Sequence, residues 1–171
     1  MGGRESHRVP TLCYRAALLA SHGFVTLALA FFGVDDLPPV YTSFDLNYFE
    51  TALDFLLTHP HVTDRNKVRM FGSSTGGNIV LAMMSCLGDK MGACVVSGSQ
   101  FICSPGPMYY RGKVIVQPTQ WNLDQDWDNP FGFRRGLAEV LKTEEQLIPF
   151  HRSAAPLLVL SGLDDGEAKG D

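Results

Sequence analysis

One stretch of this 171-residue chain has the residue types and spacing for covalent chemistry: Gly72-Ser73-Ser74-Thr75-Gly76. Ser74 is the centre of a G-x-S-x-G string, an arrangement that puts a serine hydroxyl on a sharp turn between a strand and a helix. So tight a turn crowds the backbone, and the spacing predicts that both flanking positions have to be small. The Ser74 hydroxyl is then expected to stand clear of a sheet at its carboxyl edge. The helix starting beneath it would aim N–H groups, including that of Thr75, at an oxyanion forming on an attacked carbonyl. The chemistry this suits is acyl transfer through an ester on Ser74.

A serine nucleophile needs a base and an acid that orients it. Leu157 to Ser161 predicts a buried strand, and it runs into Gly162-Leu163-Asp164-Asp165. In α/β-hydrolases the chain order is serine, then acid just past a late strand, then histidine. Asp164 and Asp165 both suit the acid. No histidine follows them. His7, His22, His59, His61 and His151 all precede the acids. His59 and His61 flank Pro60 ahead of the nucleophile strand, and His151 precedes the last strand. Both places are the wrong end of a parallel sheet, so these are expected to be surface or turn residues.

The elements that would position the pair alternate in type. Tyr14–His22 predicts a helix stopped at Gly23, and Phe24–Phe32 is a continuous apolar run of strand length. Asp35–Pro39 predicts a turn. Phe44–His59 carries Leu46, Phe49, Leu53, Leu56 and Leu57 at helical spacing before Pro60. Val68–Phe71 is a strand, Asn78–Leu87 a helix, and Ala93–Ser97 a strand. Gly98–Pro130 loses periodicity and carries the aromatic residues Phe101, Tyr109, Tyr110, Trp121 and Trp127, with Phe131 just beyond. They are expected to pack under a long loop. Arg135–Gln146 predicts another helix. This order gives an α/β fold with a mostly parallel sheet flanked by helices.

Composition excludes other classes. Hydrophobic residues make up 45% and charged residues 19%, and 14 basic against 18 acidic residues leave a net charge of −4. That balance offers no footprint for nucleic acid and no polybasic membrane patch. The Arg134-Arg135 pair suits phosphate but is expected to be a solvated surface pair. Cys13, Cys86, Cys94 and Cys103 form no C-x-x-C pair and are expected to be reduced, mostly buried thiols. No signal peptide, membrane span or peroxisomal tripeptide is legible, which points to an intracellular, cytoplasmic location. Met1-Gly2 with Ser6 is expected to match a myristoylation pattern by chance.

Taken together, these stretches resemble the acyl-CoA thioesterases related to bile acid-CoA:amino acid N-acyltransferase. The resemblance rests on Tyr14-Arg-Ala-Ala-Leu-Leu-Ala20, Gly23-Phe24 with Ala28-Leu-Ala30, Asp36-Leu-Pro38, Tyr48-Phe49-Glu50, and Phe55-Leu-Leu57 with His59-Pro60. It continues through Gly72-x-Ser74-x-Gly-Gly77, Tyr110-x-Gly112, Ile148-Pro149 and Gly162-x-Asp164-Asp165. It implies a truncated α/β-hydrolase domain over residues 14–171, preceded by a variable segment at 1–13. It also implies fatty acyl-CoA as substrate, with no cofactor or metal. Ser74 takes the nucleophile's place and Asp165 that of the triad acid, with Asp164 as the alternative. Thr75 supplies a backbone oxyanion donor. The triad histidine is not present in the chain, and neither is the β-sandwich domain that relatives carry as a partner. Relatives have a glycine-rich loop where this chain reads Arg8-Val-Pro-Thr-Leu12. These departures imply an impaired thioesterase with exposed sheet edges and poor solubility. The alternatives are an acyl-CoA:amino acid N-acyltransferase, or a catalytically dead fragment that binds acyl-CoA or a relative.

Overall fold

The computed structural model describes residues 8–34, 36–39, 42–64, 66, 68–99, 106–118 and 146–161. The chain clusters into two units, Met1–Tyr41 with Ala52–Thr63, and Thr42–Thr51 with Asp64–Asp171.

The first unit begins with helix α1, Arg8–Ser21. Pro10 lies in its first turn, where an N–H has no helical acceptor to lose. The stretch Arg8–Leu12, expected where relatives have a loop, is therefore helical. Gly23 (φ 86°) donates to the Ala20 carbonyl and Phe24 to that of Leu19, the paired bonds that close a helix end on glycine. Phe24–Phe32 forms no strand, contrary to its pattern. An apolar run specifies burial, but a strand also needs a ladder partner for its backbone. Around the turn expected at 35–39, Gly33 N–H donates to Pro38 O and Leu37 N–H to Val34 O.

Helix α2, Leu46–Thr58, follows the two-residue strand β1, Phe44–Asp45. Asp45 caps it by accepting the Asn47 N–H at 2.9 Å. Leu46, Phe49 and Leu53 are its buried positions.

In the second unit, strand β2 (Arg69–Ser73), helix α3 (Thr75–Leu87) and strand β3 (Ala93–Ser97) form a βαβ unit. Strand β6, Leu157–Leu160, pairs parallel on the far side of β3. The register sets Ser73 beside Ser97, and Ser97 beside Leu160, so the three strands end level. Helix α3 is apolar almost all round and is buried from Gly77 to Met84. It packs on β2, β3 and the 3-10 turn Phe150–Arg152. Met83, Met84, Met91 and Cys94 make the core sulfur-rich, with Cys94 Sγ 3.6 Å from Met91 Sδ. Burial pushes the Cys94 thiol up to about 11. Cys86 is half-buried and Cys13 exposed, so fewer thiols are buried than expected. Strand β6 departs from its pattern too: Leu158, Val159 and Leu160 are exposed, and among the described residues it pairs on one side only.

A second sheet lies within the stretch expected to be irregular. Strands β4 (Met108–Tyr110) and β5 (Lys113–Val116) form an antiparallel hairpin, and β1 pairs parallel with β4. Arg111 (φ 50°) and Gly112 (φ 75°) make the two-residue turn that suits the right-handed strand twist. Among the described residues, three of the four strand pairings are thus parallel. The α/β expectation holds, with two small sheets among those residues in place of one. Among the described residues no helix is long and apolar enough to cross a membrane.

Glu50 on α2 joins this hairpin to the end of α3. Its carboxylate accepts from Lys90 Nζ at 3.0 Å, from Arg111 at 3.5 Å and from the Tyr110 hydroxyl. The Arg111 guanidinium lies 4.9 Å from the Tyr110 ring centre. The Lys90 bond, ahead of the Tyr110 bond and the two positive charges, holds Glu50 below the ordinary carboxylate range against the effect of burial. A lowered carboxylate stabilises the fold fully above its unfolded pKa and loses that effect as pH falls through its folded one. Glu50→Gln should therefore cost about 1–2 kcal/mol near neutral pH, with the gap to wild type closing in acid. Thermal melts of both proteins at pH 7 and below the carboxylate range test this; a gap that stays constant would contradict it.

Candidate functional site

Ser74 lies between the last residue of β2 and the first of α3, and is exposed at the carboxyl edge of the parallel sheet. Its backbone has φ 52° and ψ −128°, a conformation that serine adopts only at a cost of about 1–3 kcal/mol. Serine is a preferred helix cap in an extended backbone, yet here it makes no side-chain cap to α3. The hydroxyl is not spent on the helix.

Hydrogen bonds hold the strained residue on both sides. Its N–H donates to the Ser97 carbonyl at 3.0 Å. Its carbonyl accepts from Gly77 N–H at 2.8 Å, Asn78 N–H at 3.3 Å and Ser99 Oγ at 3.1 Å. Thr75 is the first residue of α3, where N–H groups point out beyond the helix start.

The expected crowding around the turn is real but falls on different glycines. A methyl group on Gly72 would run into the carbonyl of Gly76 and stand 2.6 Å from the Gly77 nitrogen. One on Gly76 would meet nothing within 4 Å, so that position is not under steric demand. The second crowded glycine is Gly77, outside the five-residue string, whose added methyl would collide with the Ser99 side chain.

The other expected residues divide. Asp164 and Asp165 lie outside the described residues, as do His7, Cys103, Phe101, Trp121, Trp127, Phe131, Arg134, Arg135 and nearly all of the expected helix Arg135–Gln146. Strand β6, which leads to the two acids, ends at the same sheet edge as Ser74. His151 sits in the 3-10 turn ahead of β6, at the opposite edge. His22, His59 and His61 belong to the first unit; His22 contacts the Leu18 carbonyl, and the His59 and His61 rings lie 5.5 Å apart. Tyr109 and Tyr110 are strand residues of the hairpin. Sequence reasoning missed Ser97 and Ser99, although a Ser-Gly-Ser run just past a strand, at the edge that bears the serine, was a legible signal.

Residues 44–171 match the family BAAT / Acyl-CoA thioester hydrolase C terminal. The chain is 34% identical over 170 residues to acyl-coenzyme A thioesterase 6 of Mus musculus, covering 94% of this chain and 38% of that protein. It is 33% identical over 164 residues to the mitochondrial acyl-coenzyme A thioesterase 2 of Homo sapiens, covering 92% and 33%. With the peroxisomal succinyl-coenzyme A thioesterase of Mus musculus it shares 30% identity over 161 residues, covering 89% and 37%. The chain therefore spans between a third and two fifths of the length of these relatives.

The turn's geometry gives opposite signs for neighbouring substitutions. Gly72→Ala should lower stability by about 3 kcal/mol or more through backbone collision. Gly76→Ala should be neutral or stabilise by up to about 1 kcal/mol, from helix propensity. Ser74→Gly should raise stability by about 1 kcal/mol, because glycine adopts this backbone without strain. Denaturant melts of the three variants decide it, and a Ser74→Gly protein no more stable than wild type would refute the strain argument.

Proposed function

The chain belongs to the BAAT / acyl-CoA thioester hydrolase C-terminal family, and on that premise we propose that it is a partial α/β-hydrolase domain acting on fatty acyl-CoA thioesters through Ser74. The observation that carries the reading is the Ser74 backbone. A serine held at φ 52° and ψ −128° on a one-residue strand-to-helix turn, with its side chain not used as a cap, is stationed for something other than packing. The names of the relatives supply the substrate class.

In this reading Ser74 Oγ attacks the thioester carbonyl and gives up its proton to a general base, and the tetrahedral oxyanion is met by the Thr75 N–H. The carbon–sulfur bond then breaks, and CoA leaves as a thiolate, a weak base that needs little help from an acid. Water hydrolyses the Ser74 ester to return the hydroxyl and release a fatty acid. Asp165, or Asp164 beside it, orients the base. No cofactor or metal enters the scheme. Serine at this position favours hydrolysis over transfer to an amino acid.

The base is not His151, which stands at the other edge of the sheet. Binding of acyl-CoA without turnover is the second reading, favoured by that placement.

Incubation with palmitoyl-CoA, read by intact mass and by released thiol, should give an acyl adduct on wild type and none on Ser74→Ala. Equal thiol release from both proteins, with no adduct on either, would remove Ser74 from the reaction.

A further inference from the structure

Ser99 stands two residues beyond the end of β3. Its Oγ lies 3.1 Å from the Ser74 carbonyl, with the Ser97 carbonyl at 3.2 Å as a second acceptor. The approach is possible because residue 77 is glycine: a methyl there would take the place of the Ser99 hydroxyl and stand 2.6 Å from its Cβ.

The peptide bond makes this contact consequential. The Ser74 C=O and the Thr75 N–H belong to one rigid plane and point in opposite directions. Whatever fixes the carbonyl also fixes where the N–H aims. Two of the donors on that carbonyl, the Gly77 and Asn78 N–H groups, come from the first turn of α3 itself. Ser99 comes from beyond a different strand, so it ties the plane to the sheet rather than to the helix. A donor on the carbonyl also polarises the amide and strengthens its N–H as a donor.

We propose that Ser99 is a positioning residue: its hydroxyl clamps the Ser74–Thr75 peptide, aiming and strengthening the Thr75 N–H as the oxyanion donor, and residue 77 is glycine to admit it. The role in the reaction rests on Ser74 being the nucleophile, whereas the clamp itself does not.

Ser74-Thr75 is the one Ser-Thr dipeptide in the sequence. A chain labelled with carbonyl-13C serine and 15N threonine therefore gives a single carbonyl-to-amide correlation, belonging to this peptide. Ser99→Ala should move the Ser74 carbonyl and the Thr75 amide proton upfield, and Ser99→Thr, which keeps the hydroxyl, should bring both back. Acylation by palmitoyl-CoA, followed in the same samples, should slow by about tenfold in Ser99→Ala and recover in Ser99→Thr. Resonances that Ser99→Ala leaves in place, or an unchanged acylation rate despite shifted resonances, would overturn the proposal. Resonances that respond to Ser99 while wild-type Ser74 takes up no acyl group would instead overturn the nucleophile reading and leave the clamp standing. The steric half has its own readout: Gly77→Ala should lower the melting temperature of wild type and do so less in a Ser99→Gly background. Equal losses in both backgrounds would overturn it.

Discussion

Strand β2 ends at Ser73 and helix α3 begins at Thr75, so one residue makes the entire change of direction. Neither neighbour can yield to make it gentler. The strand is locked in register with β3 along its whole length, and the helix is buried on nearly every side. A slip of the strand would turn its side chains to the opposite faces, and a lift of the helix would expose a core. The strain therefore collects at Ser74, where hydrogen bonds on both its N–H and its carbonyl keep it from relaxing. Gly72 belongs to the same constraint, since the returning backbone passes through the space its side chain would need.

The far end of α3 is secured by different means. Lys90 follows the helix closely and meets Glu50, which also receives Tyr110 and Arg111 from the hairpin. Two of the stretches that carry the family resemblance, Tyr48-Phe49-Glu50 and Tyr110-x-Gly112, are about sixty residues apart in sequence and come together at this carboxylate. Their pairing is structural. It holds the second sheet against the end of the helix whose beginning carries the serine, with one carboxylate facing two positive charges.

Much of this was legible in the residues. Helical spacing located α2, short strand-length stretches located β2 and β3, and the G-x-S-x-G string located the turn between a strand and a helix. The failures have physical causes. Phe24–Phe32 has the composition of an interior strand, but composition does not supply a neighbour to bond with. Strand β6 has the same composition and is a strand, yet Leu158, Val159 and Leu160 are exposed, because burial depends on what packs over a strand's faces, which its own residues do not specify. The hairpin was hidden because its turn is Arg-Gly rather than the commoner Asn-Gly, and its strands are only three and four residues long. Ser99 went unnoticed because its importance lies in a contact across 25 residues of sequence. Asp164 and Asp165 were legible only as a pattern.

The sulfur-rich core beneath the turn has a consequence for how the protein ages. Met83 and Met84 are buried in α3, and Met91 lies under its end. Methionine fills irregular space well, but oxidation turns it into a polar sulfoxide that such a core cannot accommodate. An oxidant can reach these sulfurs when α3 lifts from the sheet, and the same movement takes apart the turn that holds Ser74. Each sulfoxide formed there would make closing again harder. Oxidative damage would thus accumulate in proportion to how often the serine's seat opens, and the methionines would keep a chemical record of those openings.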